Sequence, residues 1–475
     1  MSPPVSTEER VESLLWPFVE RLVDSWQLPG VAMCVVHDGD RVRTRGFGAR
    51  DVRTGDPVTE DTLFHLASVS KTVVATAVLQ LVEAGELDLD AGVTAYLPDL
   101  VWADPRAEGM TVRHLLSHRS GLGDVSDYGW HEPELDDGAL ARFAARVAGW
   151  TLERNPGTGF AYSNAAYELL GHLVATVAGR PFEDAVRERV LQPVGMTTST
   201  FLRADVPAHL GALPHLGLPP RVVDGAYPYT RRHAPSSTLH SSVAELGRWT
   251  VAHLAGGAGL MSPRSHEAMW TSEGGAGGQW HAEMALGWFR GTHRGYAVVS
   301  HSGEDPGFST SLAMVPDRGV GVVVLADSNT APTFTLTKVA LDVLLGQELA
   351  DPPLPPVTVP LAPVLERSGV TPAAELYRRL AEADAEEVDL DEVGFSDAVW
   401  GVIEMHRTDL AWPLLELWQR VQPDSAQMEL NTGWAHEIDG RLEEARRHLR
   451  RAVELDPDDE EAATMLARLS EGRGG

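Results

Sequence analysis

Strand signals in this 475-residue chain fall into two groups far apart in sequence, and that separation limits how the chain can fold. Near the N-terminus, Val31–His37 and Arg41–Gly48 flank Asp38-Gly39-Asp40, a hairpin signal. Far downstream, a run from Tyr296 ends in His301-Ser302-Gly303-Glu304, and Phe308–Val315 and Val320–Ala326 follow the turn Asp305-Pro306-Gly307. The stretch Ser68–Thr250 between them reads as mainly helical, and helices over Val11–Trp26 and through Phe334–Leu345 bracket the whole. Two arrangements fit: one antiparallel sheet built from both ends, or two separate sheets. With 43% hydrophobic residues the chain can bury at least two cores.

Between Gly346 and Pro363 the chain turns to Asp351-Pro-Pro-Leu-Pro-Pro, which predicts a stiff extended linker and divides the chain into residues 1–349, a linker 350–364 and residues 365–475. The last part repeats with a period of 34: Trp400 aligns with Trp434, Ala411 with Ala445, Leu415 with Leu449 and Pro423 with Pro457. The pattern resembles tetratricopeptide repeats, helix pairs of that length, with Pro413 near the N-terminal end of the second helix of a degenerate first copy. Such stacks form concave surfaces for peptides or proteins. With barely two repeats, this tail is equally able to pack on the first domain or to mediate self-association.

The chain has only two lysines, Lys71 and Lys338, and Lys71 stands three residues after Ser68. Arginine fills almost every other cationic position, but guanidinium does not release its proton near neutral pH, whereas a desolvated ammonium does. Val73, Val74, Ala77, Val78 and Leu81 predict a helix that begins near Ser68 and stops at Gly85. On one helix face, the Lys71 amine can reach the Ser68 hydroxyl and take its proton as the oxygen attacks a carbonyl.

Tyr162 and Asn164 fall where the turn-rich Asn155–Gly159 leads into a helical run through Tyr167, Leu169 and Leu173. A phenol there acts as acid or base if a neighbouring Lys⁺ lowers its pKa, and an amide positions an amine or a carbonyl. Each also has an ordinary reading, a half-buried aromatic and a helix cap. In the third segment, Gly303 predicts close approach of another backbone or a ligand, and His301 a switchable proton or a cation.

Together, Ser68–Lys71, Tyr162–Asn164 and His301–Gly303 resemble the Ser-x-x-Lys, Tyr-x-Asn and Lys/His-x-Gly signature of the serine β-lactamase and penicillin-binding-protein superfamily. The likeness is to its class C branch with the related esterases and D-aminopeptidases. Thr111–Leu122 and Pro306–Ser309 match further segments. The resemblance implies an α/β (α+β) fold: one antiparallel sheet of five or more strands flanked by helices, with a helical subdomain, followed here by a small all-α domain. It implies that Ser68 forms the acyl-enzyme, Lys71 is its proton acceptor and Tyr162 the acid/base partner of the leaving group. Asn164 would position Lys71 and substrate, His301 would tune Tyr162 or bind an anion, and the N–H groups of Ser68 and Glu304 would form the oxyanion hole beside Gly303. No metal or other cofactor is expected.

Two departures bear on substrate. His301 stands where true β-lactamases and DD-peptidases usually carry Lys, which weakens a fixed cation for a carboxylate, and the carboxylate of Glu304, where relatives often have Gly, repels anionic substrates. Neutral or amine-bearing esters, amides and short peptides are therefore expected over efficient β-lactam turnover, with walls from Tyr128–Trp130, the Leu210–Tyr229 loop and Trp280. The other reading is a catalytically weak protein that binds a protein partner, or itself, through residues 365–475.

A net charge of −29 argues against nucleic acid or an anionic membrane as partner. Cys34, the lone cysteine, lies in an apolar run and reads as a buried thiol. The acidic, polar N-terminal segment lacks a basic region and an uncharged apolar core, so a cytoplasmic location is expected. His114 and His118, four apart on an expected helix, read as ordinary helix histidines because no third ligand is near.

Overall fold

The computed structural model describes residues 6–278, 280–383 and 387–470. Its centre is a nine-stranded antiparallel sheet of β1 (Gly30–His37), β2 (Arg41–Asp51), β3 (Asp56–Pro57), β4 (Gly274–Gly275), β5 (Glu283–Met284), β6 (Phe289–His293), β7 (Tyr296–Asp305), β8 (Phe308–Val315) and β9 (Val320–Ala326). The order across the sheet is β3-β2-β1-β9-β8-β7-β6-β5-β4. Strands from the two ends of the domain meet at its centre, where Val31 faces Ala326 and Val36 faces Gly321. One sheet is therefore formed rather than two, because both faces of β1 and β9 are apolar and need neighbours on every side.

Period-two alternation in β1 divides the core. Val31, Met33 and Val35 pack with α1 (Trp16–Trp26) and with a later helix, Thr333–Leu344. Ala32, Cys34 and Val36 face the larger core built by α2 (Ser70–Glu83), α3 (Asn164–Ala178) and α4 (Val243–Leu254). Cys34 is fully buried there, and burial pushes its thiol up to about 12. None of the helices among the described residues is long and apolar enough to cross a membrane.

The Pro-rich segment differs from expectation. Residues 346–357 contain no helix or strand, but Thr358–Ser368 is helical, so the extended stretch ends seven residues before the expected 364. Pro360 falls in the first turn, where an N–H has no intrahelical acceptor, and only Pro363 removes an interior bond. Beyond it, α6 (Val393–Glu404) and α7 (Thr408–Val421) are followed 34 residues later by α8 (Ala426–Ile438) and α9 (Leu442–Leu455), numbering Thr333–Leu344 as α5. Gly433 of α8 packs against Leu449, where a β-carbon would meet its side chain at 2.8 Å.

The tail is docked on the first domain. Trp130, Leu216, Leu218 and Val223 share one apolar cluster with Phe395, Val399 and Val402 of α6 and Trp418 of α7. A β-carbon on Gly401 would stand 2.7 Å from Asn329 Oδ1 and 3.6 Å from the Pro306 α-carbon, so glycine there lets α6 lie against the β7–β8 turn. This shared core supplies the burial that so few repeats lack alone.

Candidate active site

Ser68 lies in a short 3₁₀ turn, Ala67–Val69, that runs into α2. From Thr62 to Leu79 it is the one residue that is not fully buried. Ala67 before it holds φ at 46°, the left-handed region that a β-carbon disfavours, and such strain persists only where the surroundings enforce it. Leu66 N–H donates to Leu239 O at 2.8 Å, and Thr310 Oγ1 donates to Leu66 O at 2.8 Å, which clamps the residue on its N-terminal side.

Lys71 is completely buried, with Nζ 2.8 Å from Ser68 Oγ and 2.9 Å from Ser236 O. Burial lowers its pKa to about 8, against the pull of Glu168, Asp124 and Asp305. Glu168 is itself fully buried, and burial pushes its carboxyl well up, so a protonated Glu168 withdraws one of the anions that would keep Lys71 charged. A neutral Lys71 has two N–H groups and one lone pair. Donation to Ser236 O leaves the lone pair free to face the Ser68 hydroxyl.

Gly303 brings the third segment against this turn. A β-carbon there would sit 2.5 Å from Ser68 N and 2.7 Å from Leu66 O, so the sequence expectation of close backbone approach is met by the turn that carries Ser68. Asp305 and Phe308 close a two-residue hairpin loop, and alternation along β7 then points the Glu304 N–H away from β8. Strand β6 begins at Phe289, opposite Ser300, so its pairing with β7 does not reach Glu304 either. Asn329 braces the turn: its Nδ2 donates to Glu304 Oε1 at 3.1 Å and Asp305 O at 2.9 Å, and its Oδ1 accepts from Gly307 N at 2.5 Å.

Tyr162 stands at the start of α3, its ring 5.1 Å from Lys71 Nζ and stacked 4.2 Å from the His118 ring. Burial raises its pKa, while the Ser68 hydroxyl pulls the other way. The condition set for Tyr162 in the sequence, a pKa lowered by a neighbouring Lys⁺, is not met: burial is the largest influence, Asp124 and Asp305 act in the same direction, and Tyr162 is a neutral phenol. Ser163 is the cap of α3, accepting from Ala166 N at 3.2 Å, and Asn164 is the first helical residue. Asn164 Nδ2 donates to Asp124 at 3.0 Å and to the Tyr128 hydroxyl, while its buried Oδ1 has no partner among the described residues. The two hydrogen bonds found for Lys71 go to Ser68 and Ser236, not to Asn164.

His301 is 1% exposed, and burial lowers its pKa to about 3, with Lys71 adding to the effect. Its Nδ1–H donates to Ser302 O at 2.7 Å, which leaves Nε2 a bare acceptor. The expected switchable cation is therefore absent at neutral pH, because protonation would put a second positive charge beside buried Lys71. His118 departs from expectation as well: helix Val112–Leu116 ends before it, its φ is 52°, and its Nδ1 accepts from Ser163 N at 3.0 Å. It is an unforeseen support of Tyr162, whereas His114 completes a capping box of that helix: its Nδ1 accepts from Thr111 N at 3.3 Å and its N–H donates to Thr111 Oγ1 at 3.2 Å.

Two cavities open at Ser68. The larger, about 610 Å³, is lined by Tyr162, His281, Phe289, His301 and Glu304, with Asp397 from the tail. The smaller, about 200 Å³, is lined by Tyr128, Trp130, Tyr162, Asn164, Glu304 and Asp305, with Trp400 and Glu404 from the tail. Tyr128 and Trp130 are walls as expected. Trp280 packs instead on His293 and Phe334, and no residue of Leu210–Tyr229 lines either cavity. Asp397, Trp400 and Glu404, at spacings of three and four on α6, share the face turned to the site. No lysine or arginine lines either cavity among the described residues. Burial lifts Glu304 to about 7, with Asp305 adding to it, and lifts Asp397 to about 7, with Glu304 adding to it.

Asp127, His131 and His406 bring potential ligand atoms within 4.8 Å of one another, but none of the three lines either cavity at Ser68.

Comparison with known proteins bears on the family of the chain. The sequence pattern of the beta-lactamase family matches residues 17–345, and that of the tetratricopeptide repeat matches residues 429–469. Penicillin-binding protein 4 of Amycolatopsis lactamdurans is 32% identical over 368 residues, which cover 73% of this chain and 95% of that protein. Esterase EstB of Burkholderia gladioli is 38% identical over 206 residues, 39% of this chain and 51% of the esterase. Among solved structures, the octameric penicillin-binding protein homologue from Pyrococcus abyssi superposes with a TM-score of 0.64 at 25% identity, over 75% of this chain and 81% of that one.

Proposed function

We propose, from the premise that this chain belongs to the beta-lactamase family of serine hydrolases, that it cleaves an ester or amide through a covalent acyl-enzyme on Ser68. The observation that carries the reading is the buried Lys71 amine, 2.8 Å from Ser68 Oγ and drawn down to about 8. In the proposed cycle, neutral Lys71 takes the hydroxyl proton as Oγ attacks the carbonyl, and the N–H groups of Ser68 and Glu304 hold the oxyanion. Tyr162, a neutral phenol, passes a proton to the leaving group while it is resupplied from Lys71. Water then releases the acid, with the same groups acting in reverse. Asn164 and His301 line the cleft as acceptors rather than as an anion site, which disfavours a substrate carboxylate. Penicillin-binding and esterase relatives both fit this chemistry, and the charge of the cleft favours the ester or amide reading over β-lactam turnover.

Intact-mass detection after exposure to p-nitrophenyl butyrate, alongside a chromogenic cephalosporin, tests the reading. An adduct of butyryl mass on wild type, with p-nitrophenolate release, and neither on Ser68→Ala, is the expected result. Turnover that persists in Ser68→Ala at wild-type rate would overturn the nucleophile assignment.

The pH profile follows from Lys71. Only the neutral amine accepts a proton, so at pH 7 about a tenth of the enzyme is competent, given a pKa of about 8. For the neutral ester, kcat/KM is expected to rise about tenfold per pH unit below 8 and to level above it. A profile flat from pH 6 to 9 would remove Lys71 as the base.

A further inference from the structure

The tail places an aromatic and a carboxylate in the wall of the smaller cavity. Trp400 and Glu404, four residues apart on α6, face Tyr128 and Trp130, whose rings stack in parallel with centroids 5.2 Å apart. Glu404 has no hydrogen-bond donor or cationic partner among the described residues, and Glu304 has only the Asn329 amide. Asn164, 7% exposed, lines the same cavity and has an Oδ1 without a partner. The wall thus offers ring faces, three acidic residues and an unused acceptor, with no arginine or lysine among its described residues: Asp305 is held by His65 at 2.6 Å, while Arg468, which lines a separate small cavity that Glu404 also borders, is paired with Glu437 at 2.7 Å. Ring faces attract cations, and carboxylates held in a poorly solvated cavity are relieved by a cation more than by any neutral group. Burial also pushes Glu404 up to about 8, with Asp127 and Asp305 adding to it, as expected of an acid whose counter-charge is missing.

We infer that the smaller cavity is an ammonium pocket, closed by Trp400 and Glu404 of the repeat tail, and that the substrate is an amine-bearing ester or amide, such as an amino-acid derivative. The inference rests on the hydrolase reading for the reaction but not for the binding. A volume of about 200 Å³ admits an ammonium group and its carbon, while the adjoining cavity of about 610 Å³ has room for a side chain as large as a phenyl ring. The tail then acts as a specificity element that completes the site.

The test separates binding from turnover. On the otherwise full-length Ser68→Ala protein, calorimetry compares phenylalaninamide of both hands with its N-acetyl derivatives, which lack the charge. At least one free amine is expected to bind about tenfold or more tightly than its acetylated form, and Glu404→Gln in the same background to weaken it about tenfold. Equal affinity for the free and acetylated amides, no binding of either at millimolar concentration, or an affinity indifferent to Glu404→Gln would overturn the pocket. Should Glu404→Gln not fold, the comparison of free with acetylated amide decides alone. In active enzyme, the ratio of kcat/KM for phenylalanine methyl ester to that for methyl 3-phenylpropanoate is expected to fall about tenfold in Glu404→Gln. Wild type that turns over no ester would sink the hydrolase reading while leaving the calorimetric comparison intact.

Discussion

Lys71→Met is expected to lower kcat/KM for p-nitrophenyl butyrate by about 10³-fold, within the range for losing a positioned base, while its melting temperature stays at or above that of wild type. The two halves of this result have one cause. The folded pKa of about 8 lies below the ordinary 10.5, so the protonated form is the one the fold disfavours. That penalty, about 3 kcal/mol, is fully present below pH 8 and fades as pH rises from 8 towards 10.5. Methionine fills the same volume without a charge and removes the penalty. It also leaves Ser236 O without its donor, which costs about 1–3 kcal/mol, so the two effects roughly offset at neutral pH. Lys71→Arg should not rescue, because guanidinium keeps its proton. A large fall in melting temperature with Lys71→Met would mean that the lysine is retained for structure, and a mild kinetic effect would mean that another group takes the Ser68 proton.

Gly303→Ala is expected to cost about 10²-fold or more in kcat/KM and to lower stability by about 1–3 kcal/mol. The new methyl would stand 2.5 Å from Ser68 N and 2.7 Å from Leu66 O, both backbone atoms that cannot swing aside. Either β7 or the turn that carries Ser68 must retreat, and both proposed oxyanion donors belong to those two segments. The adduct assay and thermal unfolding of the same preparation read the two effects. Wild-type turnover in Gly303→Ala would show that the segments can part without harm and would remove the Ser68 and Glu304 N–H groups as a preorganised pair.

Much of this site is legible along the chain. Ser68 and Lys71 are one helical turn apart, so their meeting is local, and Gly303 marks a crowded backbone without saying what crowds it. The strand runs at both ends and the period of 34 survive because side-chain alternation and repeat length are written residue by residue. Charge states are not written that way. Tyr162, His301 and Lys71 all depart from their ordinary behaviour through burial, and burial is set by neighbours such as His118, Glu168 and Ser236 that no spacing rule connects to them. The place of the tail is likewise tertiary: Gly401 is an unremarked glycine until α6 lies on Asn329 and Pro306. Elements, the neighbourhood of Ser68 and Lys71, and the repeat can all be read along the chain, because each depends on residues within a turn or a strand. The tertiary structure decided that strands from both ends share one sheet, which groups carry a proton, and that Trp400 and Glu404 wall the cleft, because desolvation and long-range packing exist only once distant segments have met.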